Sequence, residues 1–290
     1  MATKTTVYVE APANISRGIV RVATALKQYA PADIECVPTM DEAEVVLIHT
    51  IGWEGDLAER LLAAKKRIAF FMYCLRTTQR PHAEDWYGIW SKAEVVASYY
   101  HLAAVSDLPV EKFLHTPLGV DTTIFYPRPD QKRDFLVGTS GFVDGMEIIG
   151  EWAWVVGSNG GRMFHLGPHL KLPNAAVKYR HGIPDDEVAE YWSQCRYVSG
   201  LRRTEGFELP AYEGLACGAR PVMFAREDAE HWLGDSAEYI QEGSVDDVVA
   251  QLEALVQREY RPVTADEIAW VGREFSWQRM AERFWSAVPR

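Results

Sequence analysis

Two carboxylates, Glu205 and Glu213, stand eight positions apart in Glu-Gly-Phe-Glu-Leu-Pro-Ala-Tyr-Glu, and Gly214-Leu-Ala-Cys-Gly-Ala-Arg-Pro-Val222 follows directly. Each ionised carboxylate offers two acceptor oxygens, enough to hold a pair of sugar hydroxyls. Pro210 sits where a first helical turn tolerates a residue without an N–H, and Gly218 is placed to close the helix as a left-handed cap. The stretch therefore predicts a loop ending at Gly206, a helix of barely two turns, and a buried strand over 220–224. Leu209, Tyr212, Leu215 and Ala216 fall on one face, which lays the helix on a sheet. Its first amides, around Phe207 and Glu208, then point outward as a ready site for phosphate, while Glu213 projects from its side. Spacing alone does not separate this from two solvated glutamates, because carboxylates are common on helix surfaces.

The elements that must position this stretch come from the rest of the chain. Strands are expected near 6–10, 34–37, 44–49, 67–73, 93–98 and 113–116, with helices near 19–29 and 55–66 between them. That alternation implies a parallel sheet. The Pro-rich, charged segment 126–133 interrupts it, and the pattern restarts with strands near 135–137, 162–166, 176–179, 196–200 and 220–224. A domain boundary is placed there, giving units 1–127 and 128–290, with two helices over 265–288. Ligands of such open sheets bind at strand carboxyl ends. Gly157-Ser-Asn-Gly-Gly161 reads as a turn rather than a phosphate loop, since no Lys-Ser/Thr follows and a strand comes next.

Taken whole, with Gly-Phe, Leu-Pro, Ala-Cys-Gly and Pro-Val in one register, the stretch 205–222 resembles the donor-site signature of retaining glycosyltransferases of the GT-B fold, family 4. Pro117-Leu-Gly-Val-Asp-Thr-Thr-Ile-Phe-Tyr-Pro127 is similar to the segment that ends that family's first domain, with Leu118 where Asn is usual. His181-Gly-Ile-Pro-Asp-Asp-Glu-Val-Ala-Glu-Tyr-Trp192 is similar to the glycine turn and helix that border the nucleotide base. The resemblance implies an α/β fold of two Rossmann-like domains facing a central cleft, the first for the acceptor and the second for the nucleotide-sugar donor, with the closing helix around 275–284 crossing back to the first. It assigns Glu205 to the transferred sugar, Glu213 to the ribose, and the backbone of Gly206, Phe207, Glu208 and Leu209 to the diphosphate and sugar. Backbone around Arg180, His181, Gly182 and Ile183 would hold the base.

The chain departs from that pattern where the family carries an Arg and a Lys to neutralise the diphosphate. The corresponding stretch here is Gly138-Thr-Ser-Gly-Phe-Val-Asp-Gly145. Arg202 and Arg203, just ahead of Glu205, are the expected replacements, with the Thr139 and Ser140 hydroxyls and the Gly141 amide as weaker ones. Glu208 stands where glycine is commoner, and a carboxylate there must turn away from a phosphate. Tyr73-Cys-Leu-Arg76 occupies the place of a usual His-bearing loop. Tyr73, Arg76, Asn14 and His49 are the acceptor-side expectations, since they follow or end first-domain strands.

Composition bounds the remaining choices. With 290 residues, 48% of them apolar, the chain has room for two domains that each bury a core. The net charge of −11 disfavours general polyanion binding, and Lys65-Lys-Arg67 is the one compact basic cluster. No apolar run is long enough to span a bilayer and the start reads as a strand, so a cytoplasmic protein without stable membrane insertion is expected. Cys36, Cys74, Cys195 and Cys217 form no Cys-x-x-Cys pair and read as reduced thiols. No Asp-x-Asp pair or metal-binding His spacing occurs, so no cofactor and no metal are expected. The reading is a retaining, metal-independent hexosyltransferase using a UDP-, GDP- or ADP-linked sugar and a hydroxyl acceptor. Small soluble acceptors come first, and a hydroxymethylated base of phage DNA stays open. The rival readings are a nucleotide- or sugar-binding protein that kept the fold and lost turnover, and a dinucleotide-dependent oxidoreductase. The last is disfavoured because Ala11-Pro-Ala-Asn-Ile-Ser-Arg-Gly18 follows the first strand in place of Gly-x-Gly-x-x-Gly.

Overall fold

Mostly apolar stretches such as Val45–Thr50 and Arg220–Phe224 form strands in which every residue is buried. Strands covered on both faces are the mark of a parallel sheet, because its crossover helices must lie above and below it. The computed structural model describes residues 4–9, 17–50, 55–72, 88–100, 110–128, 130–141, 146–172, 176–203 and 207–289. Among these, the strands form two six-stranded sheets, all of whose pairings are parallel.

The first unit comprises residues 1–119 with 277–290. It runs β1 (Thr5–Tyr8), α1 (Arg17–Gln28), β2 (Ile34–Cys36), β3 (Val45–Thr50), α2 (Gly55–Ala63), β4 (Arg67–Met72), β5 (Val95–Ser98) and β6 (Phe113–His115), in sheet order β2-β1-β3-β4-β5-β6. The second unit, residues 120–276, runs β7 (Phe135–Ser140), α3 (Ile149–Ser158), β8 (Arg162–Leu166), β9 (Ala176–Arg180), α4 (Asp185–Ser193), β10 (Cys195–Ser199), α5 (Leu209–Ala216), β11 (Arg220–Phe224), α6 (Glu227–Leu233), β12 (Glu238–Ile240), α7 (Val245–Gln257) and α8 (Ala265–Glu274). Its sheet order is β12-β11-β10-β7-β8-β9. Chain direction across this sheet reverses between β7 and β10, and in the first sheet between β1 and β3. Both units are Rossmann-like.

The two units divide between Gly119 and Val120 rather than after Pro127. Val120 donates its N–H to the Phe275 carbonyl and bridges to Ser276, so the backbone of 120 is tied to the end of α8. The final helix α9 (Trp277–Ala287) belongs to the first unit, where the Trp285 indole donates to the Leu26 carbonyl at 3.0 Å and Phe284 stacks on Phe71. Strand β7 runs to Ser140, longer than expected, because Val137, Gly138, Thr139 and Ser140 pair in register with Met163, Phe164, His165 and Leu166 of β8. The short strand β12, with only three residues, has no alternation by which to recognise it in the sequence.

Of the basic cluster, two members bind within the fold. Lys66 Nζ donates to the carbonyls of Asp41 and Ala43, while Arg67 pairs with Glu94 at 2.9 Å and donates to the Pro289 carbonyl. Among the described residues no helix is long and apolar enough to cross a membrane.

The core of the second unit closes around a buried cation. Arg220, 1% exposed, forks onto both oxygens of Glu267 and donates to the carbonyls of Ser236, Arg261 and Pro262. Glu267 also completes a capping box with Thr264 at the start of α8. Burial pushes the Glu267 carboxyl upward, but the Arg220 and Thr264 hydrogen bonds outweigh it and leave it lowered. Removing Arg220 takes a donor from three carbonyls and leaves Glu267 to its Thr264 contacts, so Arg220→Ala is expected to cost about 3 kcal/mol in urea unfolding. A depressed folded pKa contributes stability above the ordinary carboxylate range and loses it as pH falls through the folded value. That acid loss is expected to shrink in Glu267→Gln.

Candidate functional site

Strand order reverses between β7 and β10, and the carboxyl edge at such a reversal is where open α/β sheets bind their ligands. The segments flanking it are the end of β7 with the lead-in to α3, and the stretch between β10 and α5. They are laced together. Arg203 donates its backbone N–H to the Met146 carbonyl at 3.0 Å, and Trp152 of α3 donates its indole N–H to Ser199 Oγ at 3.0 Å. Arg202 Nη2 donates to Glu147 Oε1 at 2.7 Å, and its Nε lies 3.9 Å from Glu208 Oε1.

This trio combines one cation with two carboxylates. The side chains of Glu147 and Glu208 are 5% and 7% exposed, against 27% for Arg202. The arginine side chain is the most exposed member of the three. Gly141, at φ 137°, makes room for the arrangement, since a Cβ there would lie 2.4 Å from Glu147 Cγ. Ile148 takes a left-handed conformation at φ 52°, an uncommon one for a β-branched residue, immediately after Glu147.

Helix α5 begins at the same edge. Glu208 is its N-cap and Pro210 its second residue, within the first turn as the sequence predicts. Phe207 is buried and stacks on Tyr212 with centroids 3.8 Å apart and planes at 9°, which fixes the entry to the helix. Gly218 follows the C-cap at φ 80°, the left-handed closure that its position predicts. Glu213 is 5% exposed and so is not a surface glutamate. Glu205 and Gly206 lie outside the described residues, as do Asn14, Tyr73 and Arg76.

Several expected donor groups are engaged elsewhere. Thr139 lies within β7, fully buried, with its hydroxyl 2.9 Å from His165 Nδ1. The Gly141 amide donates to the Leu166 carbonyl, which leaves Ser140 as the half-buried hydroxyl of the three. Arg203 extends away from the reversal, donating to the Gly243 carbonyl and lying 3.7 Å from Glu242. Arg202, by contrast, sits at the reversal itself. At the end of β9, Arg180 pairs loosely with Glu187 at 3.6 Å; beyond it His181 and Gly182 are exposed, Gly182 at φ 69°, with Ile183 half-buried. Pro184 is the N-cap of α4. Sequence reasoning missed Glu147, because a Glu ahead of Ile148-Ile149 reads as an ordinary first-turn acid. The Thr139–His165 pair carries no local signal at all.

In the first unit, His49 near the end of β3 is 4% exposed at the equivalent reversal beside β1. Burial pushes its imidazole down from 6.5 to about 4, opposed in part by a hydrogen bond with the Val9 backbone. It is therefore neutral at pH 7. Cys195 and Cys217 are buried free thiols, and burial pushes Cys217 up to about 12. Among the described residues no group of three His, Cys, Asp or Glu side chains is arranged to hold a metal.

No protein-family model matches the chain. Over 239 residues it is 26% identical to an MMP alpha-(1->4)-mannosyltransferase of Mycolicibacterium hassiacum, a match covering 71% of this chain and 58% of the relative, so the chain spans less than two thirds of that protein's length. Among solved structures, Anabaena Alr3699/HepE in complex with UDP and glucose superposes at TM-score 0.74 and 10% identity, covering 97% of this chain and 98% of that one. AviGT4, a glycosyltransferase involved in avilamycin A biosynthesis, gives 0.62 at 13% identity over 99% and 97%. Sucrose-phosphate synthase from Thermosynechococcus elongatus gives 0.67 at 14% identity over 83% and 72%. These likenesses show the fold, which is GT-B.

The buried imidazole generates a prediction with a definite sign. Between pH 6.5 and about 4 the unfolded chain protonates His49 while the folded chain does not, so this contribution is complete above pH 6.5 and lost as pH falls toward 4. The loss is expected to reach about 3 kcal/mol at most. Unfolding free energies of His49→Gln, measured between pH 7 and 4, should vary less with pH than those of the unaltered chain.

Proposed function

We propose that this chain is a retaining, metal-independent glycosyltransferase that moves a hexose from a nucleotide sugar to a hydroxyl acceptor. One observation carries the reading: Phe207 and Glu208 open α5 at the carboxyl edge beside the β7–β10 reversal, Arg202 lies at the same edge, and Glu213 within the helix is buried. A hidden carboxylate within a helix whose N-terminus lies at such an edge suits a ligand with both hydroxyls and phosphates. The mannosyltransferase relative and the neighbour solved with UDP and glucose support this class of donor.

In this reading Glu213 accepts hydrogen bonds from the ribose, the backbone from Gly206 to Leu209 meets the diphosphate and sugar, and residues 180–183 border the base. Glu205 orients the sugar rather than attacking it. The bond from the anomeric carbon to the diphosphate breaks with its electron pair going to the phosphate oxygen. The acceptor oxygen bonds to the same face of that carbon, and its proton passes to the departing phosphate. No side-chain nucleophile or divalent ion is needed, and catalysis rests on positioning and on charge stabilisation of the leaving group. The acceptor-side groups remain Asn14, His49, Tyr73 and Arg76, with a small soluble hydroxyl compound ahead of a hydroxymethylated DNA base.

A second reading, a nucleotide-binding protein without turnover, is favoured by one feature. Arg202 and Arg203 are both already engaged by carboxylates, which lowers the net positive charge available to a leaving diphosphate. Calorimetry with UDP, GDP and ADP in EDTA, followed by timed sugar release from the matching nucleotide sugars, separates the two. The enzyme reading expects binding with slow release of free sugar. Glu213→Ala is expected to weaken nucleotide binding by about 1–3 kcal/mol, and unchanged affinity would remove the ribose assignment.

A further inference from the structure

Helix α5 carries a hydroxyl that its surroundings leave unused. Tyr212 is fully buried and its phenol oxygen makes no hydrogen bond with any described residue, although a phenylalanine would supply the same ring without it. A buried donor left unmade is a penalty, so the hydroxyl implies a second state in which it has a partner. We propose that Tyr212 is a positioning residue: when the diphosphate of the nucleotide arrives at the start of α5, the Glu208 carboxylate turns away from it and onto the Tyr212 hydroxyl. The inference rests on the donor reading above and names how that site disposes of its own negative charge.

The geometry supplies both ends of this movement. Glu208 is the N-cap of α5 and Tyr212 follows four positions later, the spacing at which side chains lie along one face of a helix. The Glu208 side chain accepts no capping hydrogen bond from α5, and its 3.9 Å approach to Arg202 Nε exceeds hydrogen-bond length. A carboxylate has two acceptor oxygens, so gaining the phenol does not require its other contacts to break. The phenol itself is held still. Phe207 stacks on its ring at 3.8 Å, and Phe275 meets the ring edge-on at 5.0 Å. Burial above all, then the charges of Tyr239, Glu208 and Asp228, holds the hydroxyl well above its ordinary pKa, so it stays protonated and donates. Of the two carboxylates in that set, Glu208 shares the helix with Tyr212, whereas Asp228 belongs to α6.

Taking a carboxylate deeper into the fold costs hydration, and that cost opposes the movement. The Glu208 side chain is already only 7% exposed, so little water remains to be lost. It gains a charge-assisted O–H···O bond in return. The phosphate is left facing the first amides of α5 rather than a like charge. Without the hydroxyl the carboxylate has nowhere to go and repels the ligand at short range.

The test is calorimetry with whichever of UDP, GDP and ADP the unaltered chain binds most tightly, on Tyr212→Phe, Glu208→Gln and the double variant. Tyr212→Phe is expected to weaken the diphosphate about five- to tenfold. In the Glu208→Gln background the same change should shift affinity by less than about twofold, because a neutral amide has no repulsion to relieve. The ligand-free Tyr212→Phe chain should unfold in urea at an equal or higher midpoint, since only an unbonded hydroxyl is lost. Unchanged or tighter binding by Tyr212→Phe would overturn the proposal, and so would equal losses in both backgrounds, which mean ring packing rather than Glu208. A lower midpoint, or failure to fold, would also sink it, because the hydroxyl would then be bonded in the free chain. Should Glu208→Gln not fold, Glu208→Ala takes its place with the same loss of coupling expected. If the unaltered chain binds none of the three diphosphates, the donor reading itself fails and takes this inference with it. If it binds one and the two residues show no coupling, only the role of Tyr212 fails.

Discussion

All-parallel pairing is the constraint on which the rest depends. Parallel strands deliver their carboxyl ends to one edge, and the crossover helices that connect them must cover both faces. Mostly apolar strands such as Val45–Thr50 can then be buried along their whole length. Strand order reverses between β1 and β3 and between β7 and β10, which is where open sheets of this kind bind ligands. His49 stands at the first reversal. Glu147, Arg202 and the approach to α5 stand at the second.

The two most informative arginines of the second unit show how surroundings decide a charge's role. Arg220 is 1% exposed and its donors go to both oxygens of Glu267 and to three backbone carbonyls, so it ties β11, α8 and the intervening backbone together and offers nothing to a ligand. Arg202 is 27% exposed, with one close carboxylate and one distant. Burying a charge is costly unless its hydrogen-bonding capacity is met. Arg220 meets it within the fold, whereas Arg202 stays partly exposed. The same distinction separates Thr139, whose hydroxyl is enclosed with His165, from Ser140 one residue later.

The alternation of strands and helices was legible because apolar runs bounded by Gly, Pro and charge need no long-range information. The α5 stretch was legible for the same reason, with Pro210 in its first turn and Gly218 closing it. The boundary between units was less so. Composition points to the Pro-rich segment 126–133, but the division falls at Gly119, because Val120 pairs with Phe275 and Ser276, more than 150 positions away. Nothing in residues 117–127 announces that pairing. The length of β7 was underestimated likewise, since Thr139 and Ser140 are strand residues only by virtue of their partners in β8.

By itself the sequence determined two α/β units, the helix that follows Glu208, and the buried helix face on which Tyr212 and Leu215 lie, all consequences of local propensity and periodicity. Only the tertiary structure decided which charges meet. Glu147 and Arg202 are 55 residues apart and approach because β7 and β10 are neighbours in the sheet although not in the chain. Local rules describe how a segment folds back on itself. The pairing of distant carboxyl ends depends on strand order, which no single segment encodes, and it is that order which brings a glutamate from one strand's exit beside an arginine from another's.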